Sequence, residues 1–336
     1  MKAAVIRGPG RISIEDVPRP HARDGEAVVK VQACGVCGTD VHILAGEFPA
    51  PYPCIPGHEA VGIIEEVGNG VRGLKEGDAV AIDPAVTCNS CYFCMQNKQN
   101  HCENWNAIGG SLPGAYAELV AVPASNLYPN PLADPVTGVL VEPLACVLYG
   151  HERARMSIGE SVLIFGAGPV GLLHLQVARR AGASVVDVVD LNPARLELAR
   201  TLGARECVTA RDGSVAEHLR SREPRGYDLV IDATGSPRAL KTALTLVKNS
   251  GKLLMFGVCA QADRLEISPF DVYRRDLTIL GSFSIRRTFL AALRMIDGGQ
   301  LELSLLVGER LPLADLPRAL DMLAAGKSDR KLAIVP

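Results

Sequence analysis

Apolar and polar positions follow two different rhythms along this chain. From residue 1 to about 140, short apolar runs such as AVVKVQA, AVGIIEEVG and DAVAID are separated by Gly and Pro turns. That spacing predicts a β-rich region. Pro49, Pro51, Pro53 and Pro56 crowd one loop of it. From Ser161 the rhythm changes to strand and helix in turn: SVLIF, PVGLLHLQVARRAG, SVVDVVD, PARLELARTLG, then YDLVIDATG, GKLLMFGV and LTILGS with helical segments between. Near-continuous apolar strands alternating with amphipathic helices predict a parallel, doubly wound sheet. After about Ser282 the pattern is helical again, in RTFLAALRMIDGG and LADLPRALDMLAAG, and closes on the short strand KLAIV. No internal repeat interrupts this order.

Composition narrows the partners. The 336 residues are 48% hydrophobic and 21% charged, with a net charge of −2 and no long run of one sign. About two domains with sizeable cores are expected. The balance argues against nucleic acid or an anionic membrane as the main partner, which leaves a small molecule. The first twenty residues lack a charged-then-apolar leader pattern, and charges or prolines interrupt every apolar stretch before it reaches membrane-spanning length. The expectation is a cytoplasmic protein.

Gly166-Ala167-Gly168-Pro169-Val170-Gly171 is a G-x-G-x-x-G run placed between a predicted strand and a predicted helix. In that setting it reads as the dinucleotide loop of a Rossmann fold. Gly166 allows the tight turn, Gly168 lets the backbone approach a pyrophosphate, and Gly171 lets helix and strand pack closely. Asp190 ends the second strand, 24 residues beyond Gly166. A carboxylate there bonds ribose hydroxyls and repels a 2′-phosphate, which favours NAD over NADP; the competing reading is a cap for the helix near Pro193. Arg195, one turn on, lies either against the adenine or a phosphate or in solvent.

Of ten cysteines, Cys88, Cys91, Cys94 and Cys102 fall within fifteen residues. Four thiolates from one compact loop suit a closed, tetrahedral structural zinc. Cys37, in CGVCGTD, and His58, in GHE, are separate from that group.

Taken together, GVCGTDVH, PGHEAVGIIEEVG, the four-cysteine loop, VEPLAC, GAGPVG and GKSDRK resemble the zinc-dependent medium-chain alcohol dehydrogenases over almost the whole chain. They are most similar to the sorbitol, polyol and threonine dehydrogenase branch. The resemblance implies an α/β protein: a GroES-like catalytic domain (1–142, with the metal lobe at 88–102), a Rossmann domain (143–283), and a C-terminal segment (284–336) completing the catalytic domain. It implies two Zn2+ per chain and NAD. Cys37, His58, Glu59 and Glu142 are then the catalytic zinc set, with the resemblance leaving open whether both glutamates touch the metal. Thr39 and His42 match a proton relay, although a helix cap and a surface imidazole are the plainer readings. Asp40 matches a carboxylate that orients a zinc ligand, or caps the segment near Val41. Cys146 reads as core. Arg330 matches an arginine on the pyrophosphate, and Thr234, Gly235, Gly257, Val258, Ser282 and Phe283 line the nicotinamide and ribose.

The sequence departs from the sorbitol enzymes where they carry a polyol-binding arginine: the position is Ser284, with Arg286 and Arg287 following out of step. Gly38 replaces the phosphate-binding arginine of ethanol-type enzymes. The implied activity is hydride transfer from a secondary alcohol of a polyol, sugar or cyclitol to NAD, in a homotetramer. The rival readings are an amino-alcohol dehydrogenase acting on threonine or an aminocyclitol, a zinc-free reductase on the same fold, and a non-catalytic zinc- and NAD-binding sensor.

Overall fold

The computed structural model describes residues 1–130, 134–210 and 214–336. The chain divides into two compact units, one of residues 1–145 and 284–336, the other of residues 146–283. The first break falls after residue 145, within the helix Val141–Ala154, where 142 was expected.

The first unit is built on a seven-stranded sheet. Its path runs Val307–Pro312, Lys331–Val335, Glu26–Gly35, Glu59–Val67, Ala79–Ile82 and Leu127–Pro129, with Leu119–Pro123 also paired to Glu26–Gly35. Alternate residues of these strands, among them Val29, Ile64, Ile82 and Val120, face one core with Leu316 and Leu320 from the helix Leu316–Ala324. The last strand lies antiparallel to Glu26–Gly35, with Ala333 opposite Gly35 and Ile334 opposite Cys34. On the other side of the same strand, Gly35 lies opposite Glu59. The C-terminal strand therefore sits one strand away from the segment that bears His58 and Glu59.

The second unit holds a six-stranded parallel sheet in the order Cys207–Thr209, Val185–Asp190, Ser161–Phe165, Tyr227–Asp232, Val247–Met255, Thr278–Gly281. Every residue of Ser161–Phe165 is buried, as a strand covered on both faces requires. The chain reverses its direction of strand addition between Ser161–Phe165 and Tyr227–Asp232, the position at which such sheets bind ligands beyond the strand ends. Two expectations change in detail. Cys146, expected in the core, is only half-buried. The cap of the helix Pro193–Thr201 is Asn192, whose side chain accepts from the Ala194 N–H at 2.9 Å, so Asp190 is free of that duty.

Candidate active site and metal centres

The Sγ atoms of Cys88, Cys91, Cys94 and Cys102 all lie within 4.8 Å of one another. Cys91 precedes the short helix Tyr92–Met95, which contains Cys94, and Cys102 closes the turn Gln99–His101. Cys102 Sγ is 3.4 Å from Cys88 Sγ and 3.9 Å from Cys91 Sγ. Tetrahedral zinc with Zn–S bonds near 2.3 Å needs sulfurs about 3.8 Å apart, so the donor set fits that ion. Backbone N–H groups of Cys88 and Glu103 point at Cys102 Sγ and Cys91 Sγ at 3.4 and 3.5 Å, the pattern expected around thiolates. Hydrogen bonds from Ser90 pull the Cys88 thiol down to about 5, while burial pushes Cys94 up to about 12. A bound cation would let all four sulfurs be thiolates at this spacing.

Gln99, inside this lobe and 5% exposed, lies against Arg287; with its amide oriented so that the oxygen faces the guanidinium, Arg287 Nε and Nη2 donate to it at 2.7 Å each. Arg287 thus ties the C-terminal segment to the lobe. Next along the chain, the buried Thr288 hydroxyl donates to the Ala145 carbonyl at 2.6 Å.

The second cluster is Cys37, His58 and Glu59, whose ligand atoms also lie within 4.8 Å of one another. Cys37 is the residue before the helix Gly38–Ala45, and His58 directly precedes the strand Glu59–Val67. Gly57 has φ +100°, and a side chain there would meet the Tyr116 backbone nitrogen at 2.7 Å. The turn that delivers His58 therefore requires glycine. Asp40 is fully buried and lies between the Cys37 segment and His58. Its Oδ2 accepts from the Cys37 N–H at 3.0 Å, closing a capping box, and lies 2.7 Å from the Tyr116 hydroxyl. Its Oδ1 faces His58 Nδ1 at 3.5 Å and has no hydrogen-bond partner among the described residues. A carboxylate on Nδ1 leaves Nε2 of an imidazole as the metal-facing nitrogen. Burial opposes a charge on His58, but Asp40 and the Cys37 sulfur outweigh it and push its pKa well above the usual histidine range. One thiolate, one imidazole and one carboxylate form a set suited to a catalytic zinc with a position left open.

Glu59 is 1% exposed, and both of its oxygens are bonded to Lys331 Nζ, at 2.6 and 2.7 Å. Glu142 lies in the first turn of Val141–Ala154, 9% exposed, outside the three-atom cluster, and its charge acts on Lys331. Thr39 Oγ1 is 3.7 Å from Cys37 Sγ. His42 Nδ1 is 2.7 Å from Glu47 Oε2 at the partly exposed end of the same helix.

In the second unit, Gly166 has φ +99°, and a Cβ on Gly171 would lie 1.8 Å from the Gly166 carbonyl. These two glycines make the turn and its close packing. Gly168 is different: open space lies where its Cβ would be, and it starts the helix Pro169–Arg180 without a side-chain cap. Pro169 and Val170 form the first turn behind it. The uncapped N–H groups and the open face fit a pyrophosphate. Asp190 reaches back to this loop, accepting from Ala167 N at 2.6 Å and from Asn192 N at 2.7 Å, with Arg195 Nη1 at 3.9 Å. At the neighbouring strand end, Asp232 accepts from the Thr234 N–H and hydroxyl and from the Gly235 N–H. Gly257 packs against this turn, where a Cβ would lie 2.2 Å from the Gly235 nitrogen, and Val258 is exposed beside it. The Ser282 hydroxyl is buried, and Phe283 is half-exposed. Arg330 is exposed, next to the buried Lys331.

Two family models match the chain: the alcohol dehydrogenase GroES-like domain over residues 23–132, and the zinc-binding dehydrogenase model over residues 169–298. The chain is 32% identical over its full length to D-arabinitol dehydrogenase 1 of Uromyces fabae, covering 97% of that protein. The chain belongs to the zinc-dependent medium-chain alcohol dehydrogenase family, in its polyol branch. It is also 35% identical to D-altritol 5-dehydrogenase of Agrobacterium fabrum, over 91% of each chain. An L-threonine 3-dehydrogenase of Symbiobacterium thermophilum matches at 33% identity over 98% of this chain and 95% of that one. Among solved structures, a zinc-binding dehydrogenase of Sinorhizobium meliloti bound to NADP superposes with a TM-score of 0.94 at 36% identity, over 100% and 99% of the two chains. This dehydrogenase is an oxidoreductase of the GroES-like and Rossmann type. Among the described residues, no helix is long and apolar enough to cross a membrane.

The sequence reading missed Lys331 and Tyr116. Lysine opening an otherwise apolar strand, KLAIV, was the available signal for the first. Tyr116 carried none, since a buried tyrosine in a β-rich domain is ordinary core until its hydroxyl is located.

Proposed function

We propose that this dehydrogenase oxidises a secondary hydroxyl of a polyol, sugar or cyclitol with NAD, using one zinc of the two it binds. The observation that carries the reading is the convergence of Cys37, His58 and Glu59 with His58 oriented by the buried Asp40. Zinc bound there supplies Lewis acidity to an alcohol oxygen, and NAD supplies the hydride acceptor. Cys37 and His58 are the fixed ligands. Glu142 serves the same site at longer range, since its carboxylate stands outside the cluster. Thr39 takes the alcohol proton as it gives up its own hydroxyl proton, and the His42–Glu47 pair delivers a proton to solvent. Gly166, Gly168, Pro169, Val170 and Gly171 cradle the pyrophosphate. Thr234, Gly257, Val258, Ser282 and Phe283 border the nicotinamide, and Arg195 lies by the adenosine.

NAD is favoured because the Asp190 carboxylate, at the end of the second strand, disfavours a 2′-phosphate. The two hydrogen bonds it accepts from backbone keep that charge fixed in place. The relative solved with NADP makes this preference the part most worth measuring. The kcat/KM ratio of NAD to NADP is expected to exceed about tenfold, and a ratio below one rejects the preference. The protein is a cytoplasmic homotetramer in this reading.

The substrate test is NADH formation across polyols, sugars, cyclitols, aminocyclitols and threonine. Turnover of a polyol, sugar or cyclitol at a kcat/KM at least ten times that of threonine supports the assignment. The reverse order favours the amino-alcohol reading, which the threonine dehydrogenase relatives support. No turnover of any alcohol with both metals and NAD bound favours a sensor.

A further inference from the structure

Tyr116 is fully buried and touches both segments that carry Cys37 and His58. Its backbone serves the His58 side. The Tyr116 N–H donates to the Pro56 carbonyl at 3.0 Å, and the neighbouring Ala115 N–H donates to the Gly57 carbonyl at 2.9 Å. The ring packs on Gly57, where a Cβ would lie 2.9 Å from Tyr116 Cγ. The hydroxyl serves the Cys37 side, 2.7 Å from Asp40 Oδ2 and 2.8 Å from the Gly35 carbonyl. One hydroxyl has one proton to donate, and an ionised carboxylate is the stronger acceptor. The side chain therefore spans from the turn before His58 to the start of the helix Gly38–Ala45.

The two oxygens of Asp40 are held differently. Oδ2 accepts from the Tyr116 hydroxyl at 2.7 Å and from the Cys37 N–H at 3.0 Å, donors from separate parts of the chain. Oδ1 is left for His58 Nδ1, at 3.5 Å. A single donor fixes one point of a carboxylate and leaves its plane free to turn. A second donor from another segment fixes the plane, and with it the place where Oδ1 stands. Phenylalanine at 116 would fill the ring's space and keep the backbone bonds, but it would release that plane. The hydroxyl is thus the group of Tyr116 that acts on Asp40.

We propose that Tyr116 is a positioning residue of this metal site: its hydroxyl sets the Asp40 carboxylate so that Oδ1 meets His58 Nδ1, and through His58 it tunes how tightly the site holds its metal. The proposal rests on the reading of Cys37 and His58 as metal ligands. A tyrosine that only filled the core would affect stability and leave metal affinity alone.

The test titrates the full-length protein with Zn2+ against a competing chelator and reads the affinity of each centre. In Tyr116→Phe both zincs should still bind at saturation, but affinity at the Cys37–His58 centre should fall about three- to tenfold, below the roughly 10- to 100-fold scale of losing a group bonded directly to a metal-binding histidine. Affinity at the four-cysteine centre should stay native. The loss should vanish once Asp40 is replaced: Tyr116→Phe combined with Asp40→Asn should bind Zn2+ as tightly as Asp40→Asn alone, because the two groups act as one unit. A folded Tyr116→Phe with native affinity at that centre overturns the proposal, and so does an equal loss in both backgrounds. If Tyr116→Phe does not fold, the double variant, which no longer buries a carboxylate short of a donor, is compared with Asp40→Asn: equal affinity supports the proposal, and weaker affinity overturns it. Two zincs bound by Cys37→Ser would instead reject the underlying ligand assignment, whatever Tyr116 does.

Discussion

The two candidate metal centres differ in where their donors come from and in what surrounds them. The four cysteines lie within fifteen residues and supply every donor themselves. Around them is little else: Tyr92 and Met95 are exposed at 65% and 74%, and the lobe's elements are a four-residue helix and a three-residue turn. The second centre draws Cys37, His58 and Glu59 from a helix start, a turn and a strand, and sets them in a sheet with a large apolar core. Its accessory groups, Asp40, Tyr116 and Lys331, are 0%, 0% and 5% exposed. At the first cluster a bound metal would have to organise the chain. At the second the fold already arranges the donors, so a bound metal could keep a position free for chemistry.

That contrast predicts opposite responses to ligand loss. Cys94→Ser should have the largest structural effect, because structural zinc contributes on the order of 10 kcal/mol to the fold of a segment with no core of its own. Proteolysis confined to residues 88–102 is the readout, and a lobe that stays resistant after chelation would break the comparison. Cys37→Ser should move Tm by less than about 4 °C, roughly 1 kcal/mol, while lowering kcat/KM by about a thousandfold or more, the loss of a Lewis acid. A large fall in Tm with activity retained would reverse the roles assigned to the two sites. Asp40→Asn keeps the shape but removes the charge behind His58, and metal affinity at the second centre should fall about 10- to 100-fold. Unchanged affinity by competitive chelation would show that Asp40 only caps its helix. Tyr116→Phe removes one hydrogen bond to a buried carboxylate and should cost about 1.5–3 kcal/mol of stability, without changing the metal count.

The same contrast explains how much was legible beforehand. Spacing alone identifies the four-cysteine lobe, because its ligands are neighbours in sequence as well as in space. The glycine loop was equally plain, since strand, turn and helix are consecutive and each glycine answers a local demand. Cys37 and His58 are 21 positions apart in sequence and took their meaning from resemblance to a family. Lys331 was invisible for a stronger reason. Its partner Glu59 lies 272 residues away, and the contact depends on a sheet whose C-terminal strand returns beside Glu26–Gly35. Asp190 is a different case: a helix cap was the competing local reading, and Asn192, two residues on, takes that role.

Metal stoichiometry in the native protein and in Cys37→Ser tests the central claim most directly. Two zincs per chain are expected in the native protein and one in the variant, with the remaining ion lost on substitution of Cys94. One zinc in both native protein and Cys37→Ser would contradict the account, leaving the four-cysteine lobe as the sole metal centre and the Cys37–His58–Glu59 cluster without its ion.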